Sequence, residues 1–67
     1  MINIKLKQLL KEKGMTQKEL SEKTGLYPTI ISEMVRNTRT TINKEHLEAV
    51  MKVLGVTDIS EIIEYKA

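Results

Sequence analysis

Residues 15–37, MTQKELSEKTGLYPTIISEMVRN, read as two short helices separated by a break at Gly25-Leu26, with the outward face of the second left free of large apolar groups. That layout is a helix-turn-helix, in which one helix braces its neighbour against the body of the protein. Thr16 is placed to cap the first helix of the pair. Glu19, three residues on, completes a T-x-x-E capping box in which each side chain satisfies the other residue's backbone N–H. Gly25 follows Thr24 where a helix C-terminus needs a left-handed residue, a conformation Gly adopts without a Cβ penalty. Pro28 suits the first position of the next helix, since its φ is already helical and it has no N–H to leave unpaired, while Tyr27 before it is held extended. Ile31, Met34 and Val35 then share one face. Thr29, Ser32, Glu33 and Arg36 lie on the other at helical spacing.

Outward from this pair, helical periodicity continues. A first helix is predicted after Asn3 as N-cap, running to about Lys13, with Ile2, Leu6, Leu9 and Leu10 near one face and Gly14 as its stop. The segment Asn37-Thr38-Arg39-Thr40-Thr41 has no hydrophobic period and reads as an exposed loop. A fourth helix capped by Asn43 carries Leu47, Val50, Met51 and Leu54 inward and ends at Gly55. Asp58 with Glu61 forms another capping-box pattern opening a last short helix with Ile59, Ile62 and Ile63. The expectation is an all-α domain of five helices over residues 1–67, with no strand, repeat or low-complexity tract.

Composition narrows the class further. A 67-residue chain has room for one small core, burying only about 60% of the surface its unfolded form exposes. With no Cys, neither a disulfide framework nor a thiolate metal site is available. No apolar run reaches the ~20 residues needed to cross a bilayer, and no secretory h-region opens the sequence, so a soluble, unprocessed, cytoplasmic protein is expected. The net charge of +2 is unevenly spread: residues 1–44 hold nine Lys/Arg against four Glu, a balance of +5, and residues 45–67 hold two Lys against five Asp/Glu, a balance of −3. A basic front and an acidic rear would orient the chain on a polyanion. A well-solvated helical surface carries similar charge without any such role. No Gly-rich phosphate loop, Cys/His pair or Ser/His/Asp set is present, so an enzyme is not expected. No metal or other cofactor is expected either: His46 is a lone surface helical residue, and Met15, Met34 and Met51 read as core fillers.

Met15 to Gly25 (M-T-Q-K-E-L-S-E-K-T-G), Thr29 to Ser32 (T-I-I-S) and Leu47 to Val56 (L-E-A-V-M-K-V-L-G-V) together resemble the Cro/repressor-type (XRE, lambda-repressor-like) helix-turn-helix family of phage repressors and small bacterial regulators. The closing D-I-S-E-I-I-E-Y looks like the ending of small stand-alone members. The resemblance spans almost the whole chain, and Thr16, Gln17, Leu20 and Gly25 in register are its most specific part. It implies a sequence-specific, double-stranded-DNA-binding regulator, most simply a repressor, acting as a homodimer on a pseudo-palindrome with helix 28–36 in the major groove.

At matching positions, Gln17 would approach a phosphate at the start of its helix. Thr29, Ser32 and Glu33 would face base edges, and the Pro28 ring could touch a thymine methyl. Lys18, Tyr27, Arg36, Asn37, Arg39 and Lys44 are the expected phosphate contacts. For Glu33 a solvated charge stands beside a cytosine contact, for Arg39 a free surface charge stands beside a phosphate clamp, and for Ile30 edge packing stands beside a methyl contact.

Departures from the family pattern are specific. Tyr27 replaces a frequent Ser or Thr cap, and Pro28 cannot make the amide-to-adenine contact of members with Gln there. Val35 with Leu10 replaces a frequent Glu–Arg pair, and Asn37 replaces a frequent Gly. The Ile59, Ile62 and Ile63 cluster fits a symmetric dimer contact or closure of the monomer core. Two further roles are compatible with the residues: the antitoxin of a toxin–antitoxin pair, its acidic rear holding a basic toxin, or a protein-interaction module that no longer reads DNA.

Overall fold

The computed structural model describes residues 1–67. The chain runs β1 (Ile2–Ile4), α1 (Leu6–Lys13), α2 (Gln17–Thr24), α3 (Pro28–Arg36), α4 (Lys44–Leu54), a single 3-10 turn (Ile59–Glu61) and β2 (Ile63–Tyr65). Local signals account for most of these boundaries. The Thr16–Glu19 capping box is formed in both directions, Glu19 N donating to Thr16 Oγ1 at 3.1 Å and Thr16 N to Glu19 Oε1 at 3.3 Å. Asn43 Oδ1 accepts from Glu45 N and His46 N at 2.9 and 3.2 Å. Gly14, Gly25 and Gly55 all take positive φ at the ends of their helices.

Two expectations are corrected. The structure has four α-helices, not five, and it has a sheet. Asn3 does not cap α1. It lies in β1, which pairs antiparallel with β2 in the register Ile2↔Tyr65, Asn3↔Glu64 and Ile4↔Ile63. Helix α1 begins only at Leu6, after Lys5, whose N–H is drawn off to Ile62 O at 2.6 Å. The predicted fifth helix is one 3-10 turn. There Asp58 accepts from Ser60 N and Ser60 Oγ at 2.9 and 2.8 Å, in place of a box with Glu61. Those two bonds hold the Asp58 carboxyl below its ordinary range. The stabilisation they give is therefore present above the ordinary carboxylate pKa and lost as pH falls through the lowered one. The physical reason for both corrections is the same: Ile62 is completely buried in the core, and a strand from each end of the sequence closes over it.

The core draws on every helix: Leu6, Leu9 and Leu10 from α1, Leu20 from α2, Ile31 and Met34 from α3, Leu47, Val50 and Leu54 from α4, with Val56 and Ile62 below. Helix α3 packs against both α1 and α2, and α2 also packs on α4. Leu10 is buried and Val35 packs at the core's margin, so the positions of the replaced ion pair are apolar. Met15 and Met51 also pack against the core, as does Ile30.

Asn37 ends α3 in the left-handed region, φ 55° and ψ 42°, the only non-glycine residue with positive φ. Its side chain is bonded twice to one residue of β1: Ile4 N donates to Oδ1 at 2.7 Å, and Nδ2 donates to Ile4 O at 3.1 Å. Asn37→Ala removes both bonds and places a Cβ residue with no compensating amide in a left-handed position. It should destabilise the fold by about 2 kcal/mol. Asn37→Gly, which loses the bonds but relieves the backbone, should recover about half of that, as read from urea unfolding midpoints.

Candidate nucleic-acid interface

The turn between α2 and α3 determines how α3 is presented. Gly25 takes φ 76° and ψ 8°, and its N–H closes α2 by donating to Ser21 O at 2.9 Å. Two hydroxyls then fix the exit. Ser21 Oγ, almost fully buried, donates to Leu26 O at 2.6 Å. Thr24 Oγ1 donates to Leu20 O at 2.7 Å while accepting from Leu26 N at 3.2 Å. Neither Ser21 nor Thr24 stands out in the sequence as more than a polar helical residue. Their role appears only when the chain has turned back on them.

Tyr27, extended at φ −63° and ψ 145°, leads into Pro28 at the start of α3 with no side-chain cap. The inward face carries Ile31 and Met34, both buried. Outward, Tyr27, Pro28, Thr29 and Arg36 are exposed, and Ser32 and Glu33 are half-buried. Gln17 and Lys18 are exposed at the start of α2, and Lys44 is exposed at the start of α4. The structure thus distributes the expected contact residues over the starts of three helices, the outer face of α3 and the loop after it.

It brings two pairs of them into contact, Arg39 with Glu33 and Arg36 with Ser32. Arg39 Nη1 lies 3.2 Å from Glu33 Oε1, joining the loop to the outer face of α3. The arginine side chain is 59% exposed and the carboxylate 31%, so the pair sits at a wet surface, where such contacts contribute roughly 0–1 kcal/mol. It is readily exchanged for another partner. Arg36 Nε folds back on Ser32 O at 3.4 Å. Asn37, expected at a phosphate, has its side-chain amide engaged by Ile4. Beside the Glu33–Arg39 pair runs a shallow groove of about 450 Å³ whose apolar walls are Ile2, Ile4, Ile30, Met34 and Ile42, with His46 at its side.

The sequence that builds this arrangement, a helix braced on its apolar side and polar along its outer side, matches a known family. The Cro/C1-type HTH DNA-binding domain matches residues 5–67. The chain belongs to that family. The Cro/C1-type domain here is 40% identical over 57 residues to the HTH-type transcriptional regulator SinR of Bacillus subtilis (strain 168), and equally to the SinR of Bacillus licheniformis. Those alignments cover 85% of this chain and 51% of each relative, so the chain spans about half the length of the curated relatives it matches. No solved structure matches the chain. The family is a class of DNA-binding domain rather than a class of enzyme, and no helix of the structure is long and apolar enough to cross a membrane.

Because the Oγ of buried Ser21 satisfies the carbonyl of half-buried Leu26 in the turn, Ser21→Ala should lower stability by about 1–2 kcal/mol, read from thermal or urea unfolding. An unchanged midpoint would show that Gly25 holds the turn without it.

Proposed function

We propose that this Cro/C1-type domain is a sequence-specific regulator of transcription, working in the cytoplasm as a repressor that occludes a promoter. Residues 1–67 act as one unit, bound as a homodimer to a pseudo-palindromic operator. The observation that carries the reading is the outer face of α3: exposed or half-exposed Pro28, Thr29, Ser32 and Glu33, on a helix fixed from behind by Ile31 and Met34. In the major groove, the Thr29 and Ser32 hydroxyls donate to or accept from base edges, Glu33 accepts from a cytosine amino group, and Pro28 touches a thymine methyl.

Around this face, the backbone N–H groups at Gln17 and Lys18 and the side chains of Lys18, Tyr27, Arg36, Arg39 and Lys44 hold phosphates. Asn37 serves by fixing the end of α3, since its amide is occupied by Ile4. The Glu33–Arg39 pair gives the contact an order. A phosphate that captures Arg39 releases Glu33, and a released Glu33 is stable against the DNA only where a cytosine N4 donor faces it. The uneven charge along the sequence, positive over residues 1–44 and negative beyond, turns the acidic rear away from the duplex.

Selection of bound sites from a random duplex library tests the reading. A palindromic consensus is expected, with half-sites about 10–10.5 bp apart and specific binding ~10³-fold or more above background. Arg39→Ala should weaken binding to every sequence and reduce the salt slope by about 1, whereas Thr29→Ala should relax preference at one base position at a cost of about 1–3 kcal/mol. Failure to enrich any site, or equal effects of the two variants on all sequences, would overturn the assignment.

A further inference from the structure

Apolar side chains that the fold leaves uncovered gather where the β1–β2 ribbon meets the end of α3. Ile2 is 61% exposed and Ile42 41%, and both line the groove of about 450 Å³ beside the Glu33–Arg39 pair. Ile4 and Ile30, packed against the core, and buried Met34 complete its apolar walls. None of these five is aromatic, so the groove offers a flat ring nothing to stack on and suits a flexible aliphatic chain. A concavity of this size, mostly apolar with a few polar groups, is the usual form of a small-molecule site. Arg39 is the only Lys or Arg that lines it. Its guanidinium carries five N–H donors and uses one side of them, Nη1 to Glu33 Oε1. The edge formed by Nε and Nη2 remains, and two parallel donors match a carboxylate. Glu33 is the more covered member of the pair, 31% exposed against 59% for Arg39. An entering ligand therefore meets the cation first and need not expel the carboxylate.

We propose that this groove binds a free aliphatic monocarboxylate, its chain laid along Ile2, Ile30 and Ile42 and its two oxygens on the Nε–Nη2 edge of Arg39. Chain and head act through different physics. Each methylene removed from water tightens binding by up to about four-fold, whereas the charged head, at a surface this wet, contributes about 3–10-fold. The consequence for DNA rests on the operator-binding reading, in which Arg39 is a phosphate contact. With Glu33 on Nη1 and a ligand carboxylate on the opposite edge, the guanidinium has little left to offer a duplex. The ligand then releases the protein from DNA, and by reciprocity the duplex weakens the ligand by the same factor.

Titration of the full 67-residue chain with hexanoate, octanoate and decanoate, followed by amide and methyl shifts in two-dimensional NMR, tests the site without DNA. Saturable shifts are expected at Ile2, Ile30, Ile42 and Arg39. Affinity should rise by about 4–15-fold for each two carbons, the span from half to full burial of two methylenes. Arg39→Gln should weaken octanoate by about 3–10-fold and leave octan-1-ol unchanged, and Ile42→Ser should weaken both. Both side chains are exposed, so both variants should keep the circular dichroism of the unaltered chain. Octanoate should also lower the affinity of the unaltered chain for duplex DNA and leave that of Arg39→Gln unchanged. Absence of saturable shifts, shifts centred on Ile59 and Tyr65 instead, or equal loss of acid and alcohol in Arg39→Gln would overturn the site. Groove shifts produced by raising protein concentration alone, or by phosphatidylglycerol vesicles but not by octanoate, would give the groove to a second copy or a membrane surface and overturn it equally. Octanoate that binds without weakening the duplex would overturn the competition. A chain that binds no duplex in the absence of octanoate would overturn the operator-binding reading, and the NMR titration would still decide the groove.

Discussion

The angle between α2 and α3 hangs on a turn of very few residues, and the rest of the structure follows from holding it. Gly25 reverses the chain at φ 76°, and the hydroxyls of Ser21 and Thr24 bond the groups of Leu26 that the reversal exposes. Once that corner is set, Ile31 is completely buried on a helix that packs against both α1 and α2. Everything on the opposite side of α3 is then presented outward without further choice. Loss of freedom at one corner thus fixes the geometry of the whole outer face of α3.

Electrostatics on that face is arranged as competition rather than as simple attraction. Arg39 has an internal partner in Glu33 at 3.2 Å, so in the proposed complex the nucleic acid displaces a carboxylate to engage it. Every duplex offers phosphates, but only some offer a donor to the carboxylate left behind. In the proposed complex, a pair contributing little to folding weighs on discrimination in this way, by making the non-specific complex carry an unpartnered anion among phosphates.

The parts of this fold legible in the sequence are those whose causes are local. Thr16 with Glu19, Pro28 after Tyr27, and Asn43 before α4 act within a single turn of chain, and each stands where its residue type predicts. The ribbon was not legible. Ile2-Asn3-Ile4 and Ile63-Glu64-Tyr65 alternate over only three residues each, too short for a period to register, and Ile2, Ile62 and Ile63 also satisfy helical spacing. What decides between the readings is a partner at the far end of the chain. The same division runs through the candidate interface. Helical spacing alone separates Thr29, Ser32 and Glu33 from Ile31 and Met34. The bonds of Asn37 to Ile4, 33 residues away, and of Arg39 to Glu33 across the end of a helix, depend on tertiary placement that spacing does not encode.

The ribbon also has a place in the order of assembly. Helices packed on their neighbours close short stretches of chain, whereas the bond from Met1 N to Lys66 O closes a separation of 65 residues. Closure entropy grows with the logarithm of that length, and three residue pairs without the helices between them could not offset it. The strands therefore meet only after the helices have brought the ends together. Formation of the ribbon is thus placed late in folding, on helices that are already packed.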